Sequence, residues 1–175
     1  MKIIIKGFFL IMDNIAKKLG KWILIPGTDV GYFYVYQFKY KGKQVTLEDG
    51  TIINKGDELV ELHLNNKKYK NVSNSVREIF KIFDSEMEKL ATAFVEDKRF
   101  ANVKGIYGRT LLFGVAKKRG FEVSEIESSS MSKFIKIWDS LIKYAYEAKN
   151  QKLKFREPKQ IWISKEKFIK VNMKI

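Results

Sequence analysis

The sequence predicts an α+β fold, in which a mixed, largely antiparallel sheet packs against three main helices. Residues 31–64 alternate apolar and polar side chains between turn signals, whereas residues 73–97 and 128–149 place apolar side chains at helical spacing. The chain has 175 residues, of which 45% are hydrophobic and 31% charged. This length and balance favour one globular domain over residues 1–175.

The first part of the chain has one helical pattern followed by strand patterns. Apolar residues predict a helix over residues 5–20, which packs at the edge of the domain or, alternatively, lies on an anionic membrane. "YFYVYQFKY" alternates as a strand does, and "QVTLEDGTII" places Asp49-Gly50 between two β-rich runs, as in a tight hairpin. "NKGD" then predicts a turn into the strand "ELVELHL".

Helices and strands alternate in the rest of the chain. After the helix over residues 73–97 and "KGIYG", a second helix is predicted through "RTLLFGVAKKR" and ends at Gly120, which suits a left-handed C-terminal position. "FEVSEI" is predicted as a strand before the helix over residues 128–149. "KQIWIS" is predicted as the last strand, and Ser164 as the cap of a terminal helix, "KEKFIKV".

Composition excludes several chemistries and suggests partners. The chain has no cysteine and one histidine, which disfavours disulfides, thiol nucleophiles and zinc or copper sites, and no cofactor is predicted. The net charge is +14, and residues 131–175 alone carry +8, which favours anionic polymers or lipid headgroups as partners. Nucleic acid is less favoured because only five of the 34 basic residues are arginine.

The absence of several sequence patterns bears on localisation and on enzyme class. No run of residues is long and uncharged enough to span a bilayer, and no cleavage pattern follows "IIIKGFFLIM". We therefore expect a cytoplasmic protein, with a peripheral position at the inner membrane face as the alternative. The sequence has no P-loop, no G-x-S-x-G and no H-E-x-x-H, so whether it is an enzyme stays open.

The strand "ELVELHLNN" contains the best candidate site. Alternation places Glu61, His63 and Asn65 on one face. A carboxylate beside an imidazole can take part in proton transfer or ligand binding, since imidazole titrates near neutral pH. The alternative is an ordinary solvated sheet face. The aromatic row over residues 32–40 has two interpretations as well: it stacks sugars or bases, or it packs across strands under a helix layer.

Two further motifs have competing interpretations. "NVKGIYGRTLLFGVAKKRGFEV" resembles the pyrophosphate loop of GCN5-type acetyltransferases, although Tyr107 stands where that loop has a small residue. In this interpretation Arg109 contacts an anionic group; otherwise it is a surface arginine. "SKEK" at residues 164–167 matches the S-x-x-K of serine acyl enzymes, but helix capping explains Ser164 better.

Three stretches in order resemble the YkoP-like domain family. "YKGKQVTLEDGTIINKGDELVELHLNN", "VKGIYGRTLLFGVAKKRGFEV" and "EPKQIWIS" are similar to its opening, second and closing blocks. The resemblance implies a domain found alone or behind polysaccharide deacetylase domains, mainly in Gram-positive bacteria, with no established activity. The chain is not itself a deacetylase, because one histidine cannot supply that enzyme's metal site. Positions matching the family motifs are Asp57, Glu61, His63, Asn65, Gly108, Thr110 and Trp162.

We therefore expect a non-catalytic accessory or ligand-binding protein linked to cell-envelope polysaccharide or anionic lipid metabolism, with a polysaccharide deacetylase as a candidate partner. The predicted site lies where Glu61, His63 and Asn65 approach a loop over residues 105–110. Its predicted ligand-binding residues are Glu61, His63, Asn65, Gly108, Arg109, Thr110 and Trp162. The alternatives are an acyltransferase that uses this loop and a nucleic-acid-binding protein.

Overall fold

The structure is a computed structural model. The structure describes residues 22–28, 31–65, 76–110, 113–126 and 159–173. The helices predicted over residues 5–20 and 128–149 lie outside the described residues.

The α+β prediction is confirmed by the elements of the described residues. The strands are β1 Ile23–Leu24, β2 Phe33–Lys39, β3 Val45–Thr46, β4 Ile52–Ile53, β5 Glu58–Leu64, β6 Val103–Thr110, β7 Glu122–Ser124 and β8 Lys159–Ser164. The helices are α1 Val76–Glu96, α2 Phe113–Lys118 and α3 Lys165–Asn172, with a 3-10 turn at Lys98–Phe100.

Within the described residues, the main sheet has the strand order β1-β2-β5-β6-β8-β7. Strand β5 pairs antiparallel with β2 and parallel with β6, and every other pair in the sheet is antiparallel. The parallel pair requires a crossover, which includes α1. This sheet is therefore mixed and largely antiparallel, as predicted.

One face of the sheet packs against α1 and α3. Alternate side chains of the strands, such as Val60, Ile106 and Ile163, are fully buried there. The two helices meet through Phe94 and Phe168, whose ring centroids are 5.5 Å apart. The helical period predicted for "VREIFKIFDSEMEKLATAFVE" thus corresponds to the buried face of α1.

The opposite face has a second apolar cluster beneath the β3–β4 hairpin. Leu47 and Ile53 of the hairpin pack on Leu59 and Trp162 of the sheet, and all four are buried. The hairpin turns at Asp49-Gly50, as predicted, and Gly50 has φ 85°, which favours glycine. Its tip is fastened by Ser164, whose hydroxyl donates a hydrogen bond to the Asp49 carboxylate.

The prediction of a glycine loop and a helix from residue 109 was wrong. Residues 103–110 form strand β6, and α2 begins at Phe113. Gly105 and Gly108 are therefore strand residues. A Cβ on Gly105 would lie 2.6 Å from the Ile163 carbonyl oxygen, so glycine is required there for the close approach of β8.

Gly105→Ala is therefore expected to lower the free energy of unfolding by about 1–3 kcal/mol, because the new methyl meets rigid backbone rather than a movable side chain. Urea unfolding followed by circular dichroism measures this change.

Gly114→Ala in α2 is the matched control, because nothing lies within 4 Å of a Cβ there. It is expected to leave stability unchanged or to raise it by up to about 1 kcal/mol through helix propensity. Equal effects of the two substitutions would contradict the close approach of β8 to Gly105.

Candidate functional site

A row of side chains crosses the sheet on the face opposite α1. The strand pairing aligns Tyr36 with Glu61, Glu61 with Tyr107, Tyr107 with Trp162, and Trp162 with Glu122. Paired residues project to the same side of a sheet, so these five side chains lie next to one another. The row contains two carboxylates and three aromatic rings.

The neighbouring row adds a cation and an imidazole. Tyr34 pairs with His63, and Arg109 pairs with Gln160. The His63 ring is half-buried and lies against Trp22, with 3.9 Å between the ring centroids. The imidazole therefore lies in contact with an aromatic ring and is not on a flat, fully wetted surface.

Glu61 is the electrostatic centre of this face. Its side chain is 25% exposed, and its Oε1 lies 3.8 Å from a guanidinium nitrogen of Arg109, which is 38% exposed. Burial raises the pKa of the Glu61 carboxyl, while the nearby charges of Arg109 and His63 act in the opposite direction. The net direction is upward, so the carboxylate is poorly solvated and only partly neutralised.

The floor of the face is aromatic. The rings of Tyr107 and Trp162 are 4.5 Å apart, and Phe38 lies 6.1 Å from Tyr107. Burial raises the pKa of the Tyr107 hydroxyl, which lies within hydrogen-bonding reach of the Gln160 side chain. We call the side chains of Tyr36, Glu61, His63, Tyr107 and Arg109 the Glu61 face. It offers one acceptor, one strong donor and several ring surfaces.

The structure brings together four of the seven predicted site residues. Glu61, His63 and Arg109 lie on the Glu61 face, and Trp162 is buried in its floor. Their role in binding stays a prediction.

The other three predicted residues lie elsewhere. A Cβ on Gly108 would meet the side chain of Ile161 in the helix-side core, and Thr110 follows it on that side by strand alternation. Asn65 lies past the end of β5 and is 4% exposed. Its Nδ2 donates to the Gly31 carbonyl at 2.9 Å, so Asn65 holds the chain that enters β2.

Sequence reasoning missed Tyr36 and Tyr107 as cross-strand neighbours of Glu61. It also missed Gln160, which pairs with Arg109 and lies within hydrogen-bonding reach of Tyr107. A period of two applied to "VKGIYGRT" would have placed Tyr107 and Arg109 on one face. The aromatic row of β2 lies on this face too, away from α1, and includes the stacked pair Tyr36 and Phe38 with centroids 6.1 Å apart. Packing across strands is seen between Phe38 and Tyr107, but α1 is not the layer that covers the row.

Ser164 has a structural role. Its hydroxyl accepts a hydrogen bond from the Lys167 backbone N–H at 3.0 Å, which caps α3 as predicted, while its proton is donated to Asp49. Within the described ranges there is no group of three or more His, Cys, Asp or Glu side chains placed to hold a metal ion. None of the described helices is long and apolar enough to cross a bilayer.

Comparisons with known proteins identify relatives of this chain. The model of the YkoP domain family matches residues 2–172. The uncharacterized protein YkoP of Bacillus subtilis (strain 168) is 31% identical over 130 residues, which cover 70% of this chain and 71% of that protein. No solved structure matches.

Glu61→Gln is expected to raise the free energy of unfolding at pH 7 and to leave it unchanged well below pH 4. The pKa of Glu61 is raised in the folded state, so the folded protein holds this proton more tightly than the unfolded chain does. The contribution of this carboxyl to the wild-type free energy of unfolding is therefore lost as the pH rises through the folded-state pKa. The glutamine side chain does not titrate, so the variant shows no such decrease. Urea unfolding at a series of pH values measures the difference.

Glu96→Gln is the matched control, because Glu96 is exposed at the end of α1. A Glu61→Gln variant that is less stable than wild type at pH 7 would mean that the Arg109 ion pair outweighs the burial of the carboxylate.

Proposed function

This chain belongs to the YkoP domain family, and from that premise we propose that it is a ligand-binding protein whose Glu61 face takes an acidic saccharide of the cell envelope. The observation that carries the proposal is the half-buried Glu61 carboxylate, 3.8 Å from Arg109 on an aromatic floor.

The chemistry of the Glu61 face suits a sugar that carries an anionic group. A sugar ring presents hydroxyls at its edges and C–H groups on its faces, so carboxylates and arginines bind its edges while aromatic rings cover its faces. Arg109 supplies the donor for an anionic substituent, because a guanidinium matches carboxylate geometry. Glu61 accepts hydroxyl hydrogen bonds, and Tyr36 and Tyr107 flank it on the neighbouring strands.

The cellular setting belongs to the same proposal. The net charge of +14 favours an environment of anionic polymers or lipid headgroups. We place the protein in the cytoplasm or at the inner face of the membrane, as a non-catalytic accessory to envelope polysaccharide metabolism. A polysaccharide deacetylase is its proposed partner, on the basis of family resemblance.

The acyltransferase alternative loses its support because residues 105–110 are a strand rather than a loop that could cradle a pyrophosphate. A nucleic-acid ligand remains a separate outcome of the binding experiment below. It would give an affinity that falls steeply with salt for DNA and RNA alike.

Calorimetric titration with oligogalacturonate, an acidic oligosaccharide, tests the proposal. Arg109→Gln is expected to weaken binding about tenfold or more, because it removes a hydrogen bond to a charged group. Glu61→Gln is expected to weaken binding as well while keeping the fold, because an NH2 group replaces one of the two acceptor oxygens and the negative charge is removed. Maltotetraose, which has no charge, is expected to bind more weakly than the acidic sugar.

Arg99→Gln is the matched control, since Arg99 is exposed, pairs with Asp97 and lies on the 3-10 turn rather than on the Glu61 face. An equal loss in Arg99→Gln and Arg109→Gln would point to the overall charge and would remove the site. Binding of double-stranded DNA but of neither sugar would replace this proposal with the nucleic-acid alternative.

A further inference from the structure

A recess lies beside the β3–β4 hairpin, at the end of β6 away from Arg109. Its walls are the hairpin and the turn that follows it, the segment Ala101–Lys104, and the first residues of α3. Its volume is about 750 Å³, within the range of small-molecule sites. Lys104 and Arg109 are five residues apart along β6, which corresponds to roughly 16 Å of strand. The recess is therefore separate from the Glu61 face.

Lys165 places a positive charge in the wall of this recess. Its ammonium donates hydrogen bonds to the carbonyls of Phe100 at 2.8 Å and Ala101 at 3.2 Å. A lysine ammonium has three protons, so the two carbonyls leave a third, and the nearest other described contact is the Phe94 ring, whose centroid lies 5.9 Å from the nitrogen. Among the residues that the structure describes, no carboxylate lies within ion-pair distance of Lys165. The ammonium is thus fixed in position by neutral groups and keeps its whole charge.

The other charges of the lining do not cancel this one. Lys104 is paired with Asp57 at 3.0 Å, which neutralises both groups. Glu166 also lines the recess but is exposed, and exposed charges are strongly screened by water. The half-buried Lys165 therefore dominates the electrostatics of the recess.

The remaining polar groups of the lining are amides. The side chains of Gln44, Asn54 and Asn102 line the recess and are exposed, and in the described part of the chain these three amides make no hydrogen bonds to other residues. Each amide offers both donors and an acceptor. Among the described residues, the lining contains no aromatic ring and so presents no stacking surface for a base.

We propose that this recess binds an organic phosphate, with the phosphate on Lys165 and its hydroxyl-bearing part on the amides. A phosphate accepts more hydrogen bonds than a carboxylate, and a fixed ammonium is a common point-charge partner for it. The recess is too large for the phosphate alone, and unpaired amides are suited to hydroxyl groups. The phosphate comes either from a soluble ester or from a lipid headgroup.

Calorimetric titration of the full chain with glucose 6-phosphate tests the proposal, with glucose and inorganic phosphate as separate probes. Vesicles of phosphatidylglycerol in phosphatidylcholine, against phosphatidylcholine alone, test the lipid source. Lys165→Gln is expected to weaken binding at least about tenfold, through the lost charge-assisted contact. Asn102→Asp is expected to weaken binding to a similar extent, because it places a carboxylate near the phosphate. This variant keeps the Lys165 hydrogen bonds, so it tests the site even if Lys165→Gln proves unstable.

Lys170→Gln is the matched control, since it removes one charge from the exposed side of α3, and it is expected to change affinity less than twofold. Arg109→Gln is also expected to leave phosphate binding unchanged, which separates this site from the Glu61 face. The proposal is overturned if none of the phosphate probes binds, if glucose binds as tightly as its phosphate, or if Lys170→Gln loses as much affinity as Lys165→Gln and Asn102→Asp do.

Discussion

Near its start, strand β5 is buried on both of its faces. Towards its end one of these faces becomes polar, and the described structure is arranged around this change from a buried to a polar face. Leu59 packs under the hairpin and Val60 packs under the helices, and neither is exposed to solvent. The next two residues on the side of Leu59 are Glu61 and His63. The central strand thus sets a carboxylate beside a sealed aromatic cluster, where water reaches it poorly and a cation from β6 becomes its main partner.

The local features of this fold could be predicted from the sequence because short-range physics determines them. The Asp49-Gly50 hairpin depends on the left-handed backbone that glycine permits, and α1 depends on a helical period that is long enough to be distinctive. Strand β6 could not be recognised in this way. Two of its residues are glycines, which resemble turn signals, and its partners β5 and β8 lie about 45 and 55 residues away along the chain.

The same contrast between local pattern and long-range pairing holds for the residues of the candidate site. Alternation within β5 placed Glu61 and His63 together, but the partner residues depended on the register between β5 and β6, which no local pattern reveals. The family motif and an expected loop over residues 105–110 predict Gly108 and Thr110 as site residues; as strand residues they alternate with Tyr107 and Arg109 and face the helices. The recess at Lys165 is made from a hairpin, a turn and a helix start, so only the folded chain assembles it.

The β3–β4 hairpin contributes to both proposed binding sites, the Glu61 face and the recess at Lys165. On one side it seals Leu59 and Trp162, which support the Glu61 face, and on the other side it forms a wall of the recess. Its tip is held by the Ser164 hydroxyl, which also caps α3, and by the Glu122 carboxylate, which accepts a hydrogen bond from the Glu48 backbone N–H. If a ligand at one place shifts the hairpin and so changes affinity at the other, the second ligand must change the affinity of the first by the same coupling free energy.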